Sequence, residues 1–139
     1  MGKLYNKVGI DFAPPPPPGG ARILLADDEP LLREAIQNLL KQLGFQVEIA
    51  KDGAEALGIF RNHPDGFDLV ILDINMPRLD GRQTLQAIRA IHPGLPVILS
   101  SGNHPMDLAN LLQPNGATAF LPKPYSIDDL QRMLGEILG

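Results

Sequence analysis

Three kinds of side chain in this 139-residue sequence could share one reaction: carboxylates at Asp27, Asp28 and Asp73, a hydroxyl at Ser101 and an ammonium at Lys123. Two carboxylates about 4 Å apart repel by roughly 1 kcal/mol in water, and by several times that in a partly buried site. Three brought together therefore call for a compensating cation. An oxygen-only donor set of carboxylates, waters and phosphate oxygens suits Mg²⁺ better than zinc or copper. Beside such a cation a carboxylate such as Asp73 can take a phosphoryl group and become an aspartyl phosphate. The metal and a fixed lysine would neutralise the transferring oxygens, and a serine hydroxyl would donate to one of them.

These residues share a setting. Short apolar runs occur at Ile23–Ala26, Phe45–Ala50, Phe67–Leu72, Val97–Ser100 and Ala117–Leu121, each the length of a buried strand. Segments with helical spacing lie between and after them: Leu32 to Leu43 closed by Gly44, about Asp52 to Asn62, a stretch after Asp80-Gly81 with Leu85, Ile88 and Ile91, a short one at Leu108 to Leu112 before Pro114, and Ile127 to Leu138 behind Ser126. Ser126 and Asp80 read as N-caps. Five strands alternating with five helices predict an open parallel α/β sheet covered on both faces, with ligands bound beyond the carboxyl ends of the strands. Strand one ends at Asp27-Asp28, strand three at Asp73, strand four at Ser101 and strand five at Lys123. In the flavodoxin-like order 2-1-3-4-5 the first and third strands are neighbours about 4.8 Å apart, so their acids converge. A lysine about two strand spacings from Asp73 can largely cover that gap with its side chain.

The ordered set Asp27-Asp28, Asp73-Ile74-Asn75-Met76-Pro77, Ser100-Ser101-Gly102 and Pro122-Lys123-Pro124 closely resembles the receiver domain of two-component response regulators, and the likeness runs from Arg22 to about Leu138. The resemblance implies that Asp73 is the phosphoacceptor. It further implies that Asp27, Asp28, Asp73 and the backbone carbonyl of Asn75 hold Mg²⁺, and that Ser101 and Lys123 contact the phosphoryl group. The Lys123-Pro124 peptide bond is expected to be cis, and Phe120 falls on the aromatic switch position. Phosphorylation would draw Ser101 inward, let Phe120 rotate, and reshape the face made by helix four, strand five and helix five. The family also uses Tyr at the position of Phe120; here no hydroxyl is available there. Implied partners are a sensor histidine kinase or a histidine phosphotransfer protein, and a downstream target on the switching face. Homodimerisation through that face is left open.

Read singly, these residues are ordinary. Asp28 or Glu29 alone is a cap for the first helix, with Pro30 in its first turn, Asp73 a loop acid and Lys123 a solvated lysine. The joint pattern carries the reading. Its rivals are a phosphorylation-independent docking module and an aspartyl-nucleophile phosphohydrolase; the haloacid-dehalogenase type wants an acid two residues past the nucleophile, where this chain has Asn75.

Composition narrows the remaining classes. Twelve Lys and Arg against sixteen Asp and Glu give a net charge of −4, and no two basic residues are adjacent, so the clustered positive charge of a nucleic-acid groove is missing. There are no cysteines, hence no disulfide scaffold, thiolate zinc site or cysteine nucleophile. No apolar run approaches a membrane span, and a cytoplasmic protein without direct membrane contact is expected. His63, His92 and His104 each precede a proline, at spacings that match no metal motif. No phosphate-binding glycine loop occurs, so self-phosphorylation from ATP is not expected and the chain does not read as an enzyme beyond its own phosphotransfer and dephosphorylation. Residues 1–20, with Pro14 to Pro18 and Gly19-Gly20, read as an extended linker or tail, and 21–139 as the receiver-like domain. That organisation suits either a single-domain regulator or the C-terminal receiver of a hybrid sensor histidine kinase.

Overall fold

The computed structural model describes residues 20–103, 105–112 and 117–138. The expected proline linker, Pro114 and His104 lie outside the described residues. Within them the chain alternates β1 (Arg22–Ala26), α1 (Pro30–Gln42), β2 (Gln46–Ala50), α2 (Gly53–Asn62), β3 (Leu69–Asp73), α3 (Gly81–Ile91), β4 (Val97–Ser101), α4 (Leu108–Leu111), β5 (Thr118–Pro122) and α5 (Ile127–Leu138). The five strands are parallel in the order β2-β1-β3-β4-β5, the flavodoxin-like order expected from the sequence.

The apolar runs are continuous because successive side chains enter two different cores. Leu24, Ala26, Val70, Leu72, Val97 and Leu99 pack with Ala56, Phe60, Leu85 and Ile88 of α2 and α3. The alternate residues Ile23, Leu25, Leu69, Ile71 and Ile98 pack on the other face with Ile36 and Leu40 of α1 and Leu130 and Leu134 of α5. Edge strand β2 departs from this expectation: only Ala50 is buried, and Ile49 is 38% exposed, because among the described residues no further strand pairs with its outer edge. Two boundaries also move inward. Phe45 precedes β2, and Phe67 precedes β3 as a buried loop residue, stacked on Phe60 (centroids 6.2 Å apart) beneath the Arg22 guanidinium.

Helix ends follow local chemistry. Asp80 and Gln83 form a reciprocal capping box at α3, and Ser126 and Asp129 exchange the same pair of bonds at α5. Asp52 caps α2, accepting from the Glu55 N–H at 2.8 Å. Gly44 takes φ +97° just after α1, a conformation that favours glycine. The capping role read for Glu29 taken alone is corrected: it stands at the N-cap of α1, but its side chain makes no capping bond. Its carboxylate is drawn elsewhere, to a lysine from the far end of the chain.

Candidate functional site

Because every strand runs the same way, the carboxyl ends share one edge of the sheet, and the adjacency of β1 and β3 brings Asp27 beside Asp73. Asp27, Asp28, Glu29 and Asp73 each offer a carboxylate oxygen, all within 4.8 Å of one another. The buried pair uses its oxygens in parallel fashion. Asp27 Oδ1 accepts from the Glu29 N–H at 2.9 Å, and Asp73 Oδ1 accepts from the Asn75 N–H at 3.1 Å. Each Oδ2 is thereby left to face a cation.

That cation is Lys123. Its Nζ lies 3.0 Å from Asp27 Oδ2, 3.0 Å from Glu29 Oε2 and 3.4 Å from Asp73 Oδ2, so its three N–H donors have three carboxylates. The side chain enters from the end of β5, where the Lys123 N–H donates to the Ser101 carbonyl and the Lys123-Pro124 peptide bond is cis. Arg33 of α1 donates to the Asp27 carbonyl at 2.7 Å.

Electrostatics follow from this crowding. Burial pushes the Asp73 carboxyl up to about 6; Lys123 opposes the rise and the Asp27 charge adds to it. Burial alone would lower the Lys123 ammonium, but hydrogen bonds and charges from Asp27, Glu29 and Asp73 outweigh it and raise its pKa. Tyr125, in the wall of the cleft, is pushed up to about 12, chiefly by burial and then by the Asp27 charge.

Ser101 ends β4 and is 3% exposed. Its hydroxyl accepts from Asn75 Nδ2 at 2.9 Å and from the Asn103 N–H at 3.1 Å. With both acceptor positions used, its proton is the remaining hydrogen-bonding capacity. Asp28, Glu29, Leu32, Asp73, Asn75, Gly102, Lys123 and Tyr125 line one open cleft of about 690 Å³. Phe120 stands apart from it, half-buried against the α2–α3 core and opposite Leu99 in the sheet register.

Two contributors escaped the sequence reading. Glu29 follows Asp27-Asp28 directly, and the third consecutive acid was the available signal. Tyr125, two residues past Lys123, had none beyond proximity. The donor set suits a hard divalent cation, since carboxylate oxygens converge on one cleft without a competing nitrogen or sulfur ligand among the described residues.

A family model described as the response regulator receiver domain matches residues 23–135. The response regulator MprA of Mycobacterium sp. (strain KMS) is 33% identical over 115 residues, which cover 83% of this chain and 49% of that protein. The chain thus spans about half the length of that curated relative. Among solved structures, a response regulator receiver domain protein from Clostridium thermocellum superposes with a TM-score of 0.77 at 35% identity, covering 85% of this chain and 94% of the other. A chain of the CheX–CheY–BeF₃–Mg²⁺ complex from Borrelia burgdorferi is similar at a TM-score of 0.74 and 28% identity, with 84% of this chain and 88% of that chain covered.

Proposed function

This chain belongs to the response regulator receiver domain family, and we propose that Asp73 is its phosphoacceptor, loaded from a phosphohistidine on a partner protein. An Asp73 carboxylate oxygen attacks phosphorus, the phosphorus–nitrogen bond breaks, and the imidazole leaves as the neutral ring after taking a proton. Water later attacks the same phosphorus, returning the carboxylate and inorganic phosphate. Asp27, Asp28, Asp73 and the Asn75 carbonyl would hold Mg²⁺. When bound, it supplies positive charge against the transferring oxygens.

The rest falls to the chain's own side chains. Asp73, with its pKa near 6, is mostly ionised at neutral pH and available as a nucleophile. Lys123 gives up one of its carboxylates to pair with a phosphoryl oxygen, and Glu29, the most exposed of the three, is the one to release. The Ser101 proton is donated to another phosphoryl oxygen, drawing Ser101 toward Asp73 and away from its bond with Asn75. Phe120 then moves into the space released. Its neighbours Leu121, Met133 and Arg132 line a groove of about 300 Å³ between β5 and α5, where a changed surface meets a downstream partner. This is a population shift, driven by contacts that only the phosphorylated form makes. Among the described residues no helix is long and apolar enough to cross a membrane; a cytoplasmic phosphorelay is the setting proposed.

The observation that carries the proposal is the convergence of four acids at one end of the sheet, three of them on the Lys123 ammonium, with Asp73 buried among them. The test is intact mass after incubation with acetyl phosphate, with and without Mg²⁺, beside an Asp73→Asn control. A single phosphoryl gain that needs both Mg²⁺ and Asp73 supports the assignment. No gain at early time points, with Mg²⁺ bound, replaces it with phosphorylation-independent docking.

A further inference from the structure

The loop from 74 to 80 between β3 and α3 carries Asn75, and it is anchored at both ends. Near β3 its closure is a hydrogen bond from the Gly81 N–H to the Ile74 carbonyl at 2.9 Å, with Ile74 and Met76 buried on either side of Asn75. Further along, Arg78 holds φ +66°, the only positive φ of a non-glycine residue among those described. An L side chain disfavours that conformation, so something outside the loop must compensate for it.

The compensation comes from the neighbouring β2–α2 loop. Arg78 Nε donates to Asp52 Oδ2 at 3.1 Å, and a terminal guanidinium nitrogen lies 2.7 Å from the same oxygen. Asp52 is only 4% exposed, and its other oxygen caps α2 through the Glu55 N–H. The first residue of α2 also packs directly on this loop and on α3, since a Cβ added at Gly53 would overlap the Leu79 carbonyl and the Thr84 hydroxyl. Arg78 thus fastens the Asn75 loop to the start of a helix that contributes no residue to the acid cleft.

We propose that Arg78 is a positioning residue: through Asp52 it holds loop 74–80 in the shape that presents Asn75 to a divalent cation in the acid cleft. The proposal rests on the receiver reading of that cleft. It predicts an effect opposite to that of simple charge. Removing a positive charge near an acidic site strengthens cation binding through the field alone, whereas losing the loop's anchor weakens it. Outer-shell partners of metal ligands typically matter by roughly 10–100-fold in affinity.

The test is Mn²⁺ binding to the full chain, followed by electron paramagnetic resonance, with Mg²⁺ titration calorimetry in parallel. Arg78→Ala and Arg78→Gly are compared with wild type, and the glycine variant relieves the backbone so that the ion pair is tested by itself. The Arg78 side chain is 63% exposed, which leaves the core untouched in both variants. Both are expected to bind roughly tenfold more weakly, with Arg78→Lys in between. In the metal-free protein the Asn75 and Gly81 amides should exchange hydrogen faster in Ala and Gly variants alike. Affinity equal to or above wild type in both variants overturns the proposal, as does full wild-type affinity in the glycine variant alone. A wild-type protein that takes up neither ion sinks the receiver reading of the cleft, and this proposal with it.

Discussion

The same substitution, glycine to alanine, should have opposite effects at two positions on neighbouring helices. Gly58 lies within α2, exposed, and an added Cβ there meets nothing within 4 Å. Alanine should stabilise by about 0.5–1 kcal/mol, because glycine loses more backbone freedom on entering a helix. Gly81 is the first residue of α3, and an added Cβ there would overlap the Asp73 carbonyl and the Ile74 Cα. Those atoms are backbone and cannot rotate aside; the helix must back off, or β3 must move with the acid it carries. Overpacking of this kind costs about 1–3 kcal/mol, more than the propensity gain. At roughly 4 °C per kcal/mol for a domain of this size, Gly58→Ala should raise Tm by about 2–4 °C, and Gly81→Ala, net of the propensity gain, should lower it by up to about 10 °C. Thermal unfolding followed by circular dichroism, with urea titration as a second probe, measures both. Gly81→Ala should also label more slowly with acetyl phosphate, since the clash is with the backbone of Asp73 itself. A Gly81→Ala protein that melts at or above wild type refutes the close approach of α3 to the end of β3.

Other expectations concern the cleft and the sheet. Without metal, Asp73 binds its proton more tightly when folded (pKa about 6) than when unfolded (about 3.8), so its contribution to stability falls as pH rises from about 4 to 6. A shift of two units corresponds to roughly 3 kcal/mol, and solvent in the open cleft reduces this to about 1–2 kcal/mol. Asp73→Asn should therefore be more stable than wild type by that amount at pH 7.5 in EDTA and not at pH 4; urea unfolding that shows no gain at pH 7.5 contradicts the electrostatic account. Mg²⁺ at a hundred times its Kd should stabilise the wild type by about 2.7 kcal/mol, a gain that Asp27→Asn loses, and an equal gain in both would place the ion elsewhere. Ser100 is 2% exposed, between Asp73 and Leu121 in the register, and among the described residues its hydroxyl has no hydrogen-bond partner. Ser100→Ala should stabilise by about 1 kcal/mol, since an orphaned buried hydroxyl costs about that much or more; a loss on urea unfolding would mean that the hydroxyl is satisfied.

The strands could be read in the chain because each supplies alternate residues to two cores, so burial appears as an unbroken apolar run. That signal fails where its cause fails. β2, at the sheet edge, is mostly exposed, and Phe67 is apolar and buried without belonging to a strand. Caps at Asp80 and Ser126 were legible because the bonds they make span three residues. Glu29 was misread for the same kind of reason: nearby in sequence it looks like a cap, but its carboxylate pairs with Lys123, 94 residues away.

The sequence by itself determined the alternation of strand and helix, the parallel sheet, and the acids, hydroxyl and lysine at the strand ends. These follow from periodicity and from polarity breaks that a short window contains. Only the tertiary structure decided that Lys123 is shared among three carboxylates, that both acceptor positions of Ser101 are taken by asparagines, and that the loop behind Asp73 is tied by Arg78 to the cap of α2. Such contacts join residues that are distant along the chain. Which oxygen meets which nitrogen depends on how the strands and loops are packed in three dimensions, and no local pattern records that.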